Sequence, residues 1–242
     1  MKPAAPSLAP VITVRDLHYR YEDGTAALAG VDFELLPGET VAVFGSNGSG
    51  KTTFVLHLNG LLEGQGSIEV CGMPVKKETL KSVRQKIGLV FQDPDDQLFM
   101  PSILEDVAFG PLNMGLSSGE AAERARGALQ KVGMSEGHNR APYHLSAGQK
   151  KRVAIAGVLA MDPEILVLDE PTTFLDPPGQ QALTALLREL PQSKLIVTHD
   201  IEFARSLATR AVFFENGRIA AEGPADQIIE QFHWDQKQYD RC

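Results

Sequence analysis

Residues 45–52, Gly45-Ser-Asn-Gly-Ser-Gly50-Lys51-Thr52, constrain this chain more than any other segment. They satisfy the spacing G-x-x-x-x-G-K-[ST] and lie between the apolar run ETVAVFG at 39–45 and a helix-forming stretch from Lys51 to Leu61. A strand that passes through a glycine-rich turn into a helix points successive backbone N–H groups inward and adds the positive end of the helix. That arrangement cradles phosphate oxygens. Gly45, Ser46, Asn47, Gly48, Ser49 and Gly50 form the turn, Lys51 is placed to neutralise β and γ phosphates, and Thr52 offers a hydroxyl to Mg²⁺, with Thr53 beside it as a further nucleotide contact. The segment predicts an α/β protein with a nucleoside triphosphate site.

A second apolar strand, Ile165-Leu-Val-Leu, ends in Asp169 and Glu170. A strand buried on both faces does not end in two carboxylates without a cation or a polar site beyond it, although such a pair can also cap the turn at Pro171. Beside a phosphate loop, Asp169 is read as holding Mg²⁺ through its water shell and Glu170 as the base for the attacking water.

Charge narrows the partners. Lys and Arg total 23 against 31 Asp and Glu, a net charge of −8, so the surface offers no broad positive field for DNA or RNA. The longest apolar run, Val153 to Met161, is half the roughly 18 residues needed to span a bilayer. Residues 1–10 carry three prolines and no apolar signal region, which reads as a loose arm and sets the cytosol as the expected compartment. Cys71 and Cys242 fit no disulfide or zinc pattern and are expected as free thiols.

Along the chain, β-rich runs at 11–21, 30–36 and 39–45 precede the glycine loop, and strands at 66–72 and 86–92 follow its helix. Between about 95 and 145 the texture is helical, with Ser102-x-x-Glu105 and Ser117-x-x-Glu120 as capping boxes and Ala125, Leu129 and Val132 on one face. A helix from about 147, the strand at 165–169, a helix near 179–189, the strand LIVTH at 195–199 and a hairpin turning at Asn216-Gly217 complete the pattern before a short terminal helix. The expected division is an arm at 1–10, an ATP-binding α/β core with its β subdomain at 11–94 and 146–223, a helical subdomain at 95–145, and a helix and tail at 224–242.

Just upstream of the second strand stands Leu145-Ser146-Ala147-Gly148-Gln149, where Ser146 makes a good N-cap and Gly148 permits close approach, giving a second helix start suited to an anion. The five residues resemble the LSGGQ signature of ATP-binding cassette (ABC) ATPases. The resemblance runs from about residue 11 to 230 and implies a P-loop NTPase core of ABC type, α/β, with an N-terminal antiparallel β subdomain and an inserted helical subdomain. It implies that two cassettes sandwich two ATP and two Mg²⁺, Ser146, Ala147, Gly148 and Gln149 of one covering the γ-phosphate held by the other. It further implies roles for Tyr21 in stacking on adenine, Gln92 in touching Mg²⁺ and water, Asp176 in signalling across the dimer, and His199 in steadying Glu170 and the γ-phosphate. Glu170, His199 and Gln92 are thus the catalytic set, and Thr52, Gln92 and Asp169 the metal set. The remaining histidines, 18, 57, 138, 144 and 233, are read as structural.

The blocks at 57–62, 91–99, 105–113 and 153–160 are similar to ATPase subunits of energy-coupling-factor importers. Gln97-Leu-Phe-Met and Gly110-Pro-Leu-Asn-Met most resemble the cobalt and nickel branch, with vitamin importers as the alternative. The implied partners are a second cassette, identical or not, an integral membrane coupling subunit met near Asp93 to Gln97, and a substrate-binding membrane subunit, at the cytoplasmic face of the membrane. A soluble cassette not tied to transport is the rival reading, which the acidic balance disfavours for nucleic-acid partners. Two residues depart from the family pattern: Ala147 replaces a signature glycine, and Phe174 stands where a small residue is usual.

Overall fold

A computed structural model describes residues 9–234 of the chain. In chain order the strands are β1 (Ile12–Arg20), β2 (Ala26–Leu35), β3 (Thr40–Gly45), β4 (Gln65–Val70), β5 (Met73–Pro74), β6 (Ile87–Val90), β7 (Ile165–Asp169), β8 (Ser193–Val197), β9 (Arg210–Glu215) and β10 (Arg218–Pro224). The α-helices are α1 (Lys51–Leu58), α2 (Leu80–Lys86), α3 (Ile103–Asn113), α4 (Ser118–Lys131), α5 (Ala147–Leu159), α6 (Pro177–Glu189), α7 (Ile201–Leu207) and α8 (Ala225–Gln231).

The strands form two sheets. One is antiparallel, in the order β2-β1-β4-β5, and the other runs β10-β9-β3-β8-β7-β6. In the second, β6, β7, β8, β3 and β9 are mutually parallel and only β10 turns back. The central strands β3, β7 and β8 are buried almost throughout, which explains their continuous apolar runs. Because they run the same way, their carboxyl ends open on one edge of the sheet, where open α/β sheets place ligands. Gly45, Asp169 and Val197 end three of these strands, so the glycine loop, Glu170 and His199 come to that edge together.

Helices α3, α4 and α5 pack on one another through a cluster that includes Val107, Ala121, Ala125, Leu129 and Ile155. Ser117 and Glu120 form the full reciprocal capping box. Ser102 makes half of one: its Oγ accepts from the Glu105 N–H and donates to the Glu105 carboxylate, but among the described residues its own N–H receives no return bond.

Several boundaries differ from the sequence expectation. Helix α1 stops at Leu58 rather than Leu61. Gly60, at φ 66°, turns the chain so that the Leu61 N–H reaches the Leu56 carbonyl at 2.9 Å and the Gly60 N–H reaches that of His57 at 3.1 Å. Strand β6 ends at Val90 and β8 at Val197, which leaves Gln92 and His199 in the loops beyond, free of ladder constraints. Helix α6 begins at Pro177, since Asp176 caps it by accepting the Gly179 N–H at 3.0 Å and prolines suit the first turn. Helices α2 and α7, of seven residues each, are not foreseen by periodicity, because two turns are too few to declare a face.

Among the described residues no helix is long and apolar enough to cross a membrane. Cys71 is a free thiol that donates to the Glu164 carboxylate at 3.3 Å, and burial together with that carboxylate pushes it up to about 11. Cys242, residues 1–8 and residues 235–242 lie outside the described residues.

Candidate functional site

The glycine loop fits because two of its positions lack a side chain. At Gly45, with φ 144°, a Cβ would sit 2.4 Å from the Phe214 carbonyl oxygen, and at Gly50, with φ 106°, another would meet the Ala27 carbonyl at 2.5 Å. Any substitution would push the loop off β9 and β2. Lys51 is buried, and its Nζ donates to the carbonyls of Gly45 at 2.7 Å and Ser46 at 2.9 Å. Burial holds its pKa below the usual lysine range, opposed by the charges of Glu170 and Asp169.

The loop opens on a cleft of about 670 Å³ whose lining includes Tyr21, Asn47, Gly48, Gly50, Lys51, Thr52, Thr53, Gln92, Asp169, Glu170 and His199. The Thr52 hydroxyl donates to Oδ2 of Asp169 at 3.0 Å. A hydroxyl, a carboxylate and the nearby Gln92 amide are the oxygen donors that suit a hard cation such as Mg²⁺, with the remaining positions left to phosphate and water. Burial raises the Asp169 pKa, the mark of a carboxylate that lacks a full counter-charge. Among the described residues no group of three His, Cys, Asp or Glu could hold a metal by itself. Tyr21 also lines the cleft, its hydroxyl 2.9 Å from the Thr53 hydroxyl.

Glu170 follows β7 with φ 45°, a left-handed conformation uncommon for a side-chain-bearing residue, fixed by its N–H donating to the Val197 carbonyl at 2.9 Å. Its Oε2 accepts from the His199 backbone N–H at 3.3 Å, and Oε1 lies 3.3 Å from His199 Nε2. Burial is the main force on it and the Asp169 charge adds to it, so the pKa rises to about 7 despite Lys51 and Lys151. A base poised there is half ionised near neutrality. The kcat/KM for nucleotide hydrolysis should therefore climb as pH rises through about 7, because only the carboxylate form can accept the proton. A rate profile that stays flat between about pH 5.5 and 8 would remove Glu170 from that role.

Lys151 is the functional group that sequence reasoning missed. It is 0% exposed, and its Nζ donates to the carbonyls of Phe91 at 2.8 Å, Gln92 at 2.9 Å and Asp169 at 3.4 Å. One ammonium thus ties the loop of Gln92 to the end of β7 and to α5. Burial brings its pKa down to about 8. The run Lys150-Lys151-Arg152 reads as a solvated basic patch, yet Lys151 shares the spacing of Ala154, Ile155 and Val158, the buried face of α5.

Not every expected residue lines this cleft. Ser146 and Gln149 form a reciprocal capping box at the start of α5, the Gln149 N–H donating to Ser146 Oγ at 3.3 Å and the Ser146 N–H to the Gln149 side chain at 3.0 Å. With Ala147, Gly148 and Asp176 they lie outside the cleft of their own chain. A Cβ on Gly148 would meet the Phe174 carbonyl at 3.0 Å, so the signature glycine is needed for packing against the turn before α6. Phe174 takes φ 70° and is 54% exposed. Gly45, Ser46 and Ser49, although part of the loop, are not on the cleft wall, and Ser49 is buried.

Residues 28–173 match the family model described as ABC transporter. The energy-coupling factor transporter ATP-binding protein EcfA of Methanothermobacter thermautotrophicus is 51% identical over 225 residues, covering 90% of this chain and 72% of that relative. Among solved structures, cbiO1 from Clostridium perfringens, described as part of the ABC transporter complex cbiONQ, superposes with a TM-score of 0.80 at 38% identity, covering 96% of this chain and 95% of that one. A dimeric post-hydrolysis ATP-binding cassette bound to ADP and Pi gives a TM-score of 0.81 at 29% identity, over 88% and 98% of the two chains.

Proposed function

The chain belongs to the ABC transporter family as one of its ATP-hydrolysing cassettes, and on that premise we propose that it pairs with a second cassette around two ATP and two Mg²⁺ to drive a membrane importer for cobalt or nickel ions. What supports the paired reading is the separation just described. The cleft carries the groups needed to hold a triphosphate and activate water, while Ser146 to Gln149 lie outside it, at a capped helix start that would be available to a neighbouring chain's phosphate.

In this mechanism Tyr21 stacks on the base, and Lys51 exchanges the carbonyls of Gly45 and Ser46 for β and γ oxygens. Thr52, Asp169 and Gln92 would hold Mg²⁺, which would offset charge on the phosphate oxygens. Glu170 takes a proton from the water whose oxygen bonds to the γ-phosphorus, as the bond to the β–γ bridging oxygen breaks and ADP leaves. His199, 3.3 Å from Glu170, steadies both the carboxylate and the γ-phosphate. Positioning and charge stabilisation account for most of the acceleration in such a reaction.

An apolar face fits the membrane partner. Exposed Phe99 meets Phe109 edge-on, with centroids 5.0 Å apart, and Leu112 extends the patch along α3. It lies next to the 3₁₀ turn Pro94–Asp96, the stretch assigned to a coupling subunit. Gln97 is engaged internally, donating from Nε2 to the Ala154 carbonyl at 2.9 Å, so its part in that block is to shape the turn. The metal cargo rests on the similarity to cbiO1 and on the blocks at 97–100 and 110–114. To test the reading, a tagged Glu170→Gln chain is purified with ATP from solubilised membranes of its host. Polytopic membrane proteins should co-purify, and reconstituting that set with labelled Co²⁺ or Ni²⁺ should show ATP-dependent uptake. Uptake of a vitamin instead would replace the cargo, and recovery of soluble partners alone would end the importer reading.

A further inference from the structure

His199 sits between two unlike neighbours. On one side its Nε2 lies 3.3 Å from the Glu170 carboxylate. On the other, the indole of Trp234 is stacked against the imidazole, with centroids 5.6 Å apart and 24° between the planes. Trp234 is the single tryptophan of the chain, is 5% exposed, and lies 35 residues further on (234 − 199).

A defined chain reversal delivers it. After α8 the His233 N–H donates to the Glu230 carbonyl at 3.1 Å and the Trp234 N–H to that of Ile229 at 3.0 Å, with His233 at φ 48°. This paired closure on a left-handed residue ends a helix firmly and sets the direction of the next side chain. The indole meets Phe213 edge-on, centroids 5.4 Å apart at 82°, and Phe44 at a tilt of 48°, centroids 6.4 Å apart. Phe44 directly precedes Gly45, so the same ring braces the root of the phosphate loop.

A histidine in a loop has two side-chain rotations, and its ring must hold one face and one nitrogen in place to serve Glu170. A flat ring behind it restricts both rotations and consumes neither nitrogen. The electron-rich indole face also favours any positive charge that the imidazole takes up. We propose that Trp234 is a positioning residue for His199, through which α8 governs the hydrolytic step. The proposal deepens the ATPase reading and rests on it.

The test is a double-mutant cycle in the full-length chain. Trp234→Ala should lower kcat about threefold to tenfold, as expected for loss of one aromatic pair, while KM for ATP stays within about twofold because Trp234 does not line the cleft. Trp234→Phe, which keeps a flat ring, should restore most of kcat. In a His199→Ala background, Trp234→Ala should cost nothing further. Equal losses with and without His199, or a Trp234→Ala chain as active as the parent, overturn the proposal. Emission supplies a readout that survives poor folding of the Ala variant: His199→Ala in the otherwise native chain should change the intensity of the single tryptophan, and unchanged emission overturns the stack. A parent chain that hydrolyses no ATP refutes the ATPase reading instead, and leaves the emission arm to decide the stack.

Discussion

Replacing Glu170 with Gln lowers kcat for ATP hydrolysis by about 10²- to 10⁴-fold, the usual contribution of a positioned base, and leaves ATP affinity nearly unchanged. The amide keeps the shape of the carboxylate but cannot take a proton, and Lys51, Thr52 and Asp169, the residues proposed to hold the phosphates and a metal, are unchanged. The trapped pair of chains should persist in gel filtration with ATP and fall apart with ADP. The same substitution stabilises the fold. An unfolded glutamate releases its proton near 4.5, whereas Glu170 keeps it to about 7, so the native chain binds the extra proton between those values and loses stability as pH rises across them. Above about 7 the loss is complete, and on the order of 3 kcal/mol is recovered by Gln, which carries no charge. Thermal midpoints should show the variant ahead of the parent at pH 8 and level with it below about pH 4.5. A variant that turns over ATP at the parent rate, or whose advantage grows toward acid pH, contradicts the assignment.

Replacing Lys151 with Met is the second large effect, expected at about 10- to 100-fold in kcat/KM at pH 7 with only a modest change in stability. Met fills the same volume, and relief of a buried charge offsets the donors lost to Phe91, Gln92 and Asp169. Activity suffers twice: the Gln92 loop loses its tether, and the Lys151 charge that pulls the Glu170 pKa down is gone. The acid limb of the rate profile should therefore move to higher pH. The parent profile should also bend down above about 8 as Lys151 deprotonates, and that bend should vanish in the Met variant. Lys151→Gln, which keeps a donor without the charge, separates the two losses. An unmoved acid limb would reduce Lys151 to packing.

The phosphate cradle was legible in the sequence because its chemistry is local: glycines, lysine and threonine at fixed spacing, with a buried strand before and a helix after. Glu170 was legible for the same reason, at the end of an apolar run. His199 and Gln92 came only through resemblance, since each lies two residues past its strand and no periodicity marks a loop. Lys151 and Trp234 stayed hidden because their partners are distant in the chain. The carbonyls that Lys151 serves belong to residues 91, 92 and 169, and the ring that Trp234 backs belongs to residue 199. Burial of a lysine inside a run of three basic residues is decided by tertiary packing, which local composition does not encode.

The Lys51 ammonium rests on two carbonyls of its own loop. A lysine left loose in solvent would have to be ordered anew each time a triphosphate arrived, and that loss of freedom would weaken every encounter. Here the ordering is settled once, when the chain folds. An incoming phosphate trades places with neutral oxygens already at bonding distance, and a departing product hands the ammonium back to them. The loop thus holds the ammonium in place with its own oxygens, so the grip on a phosphate is set by folding rather than by the phosphate's arrival.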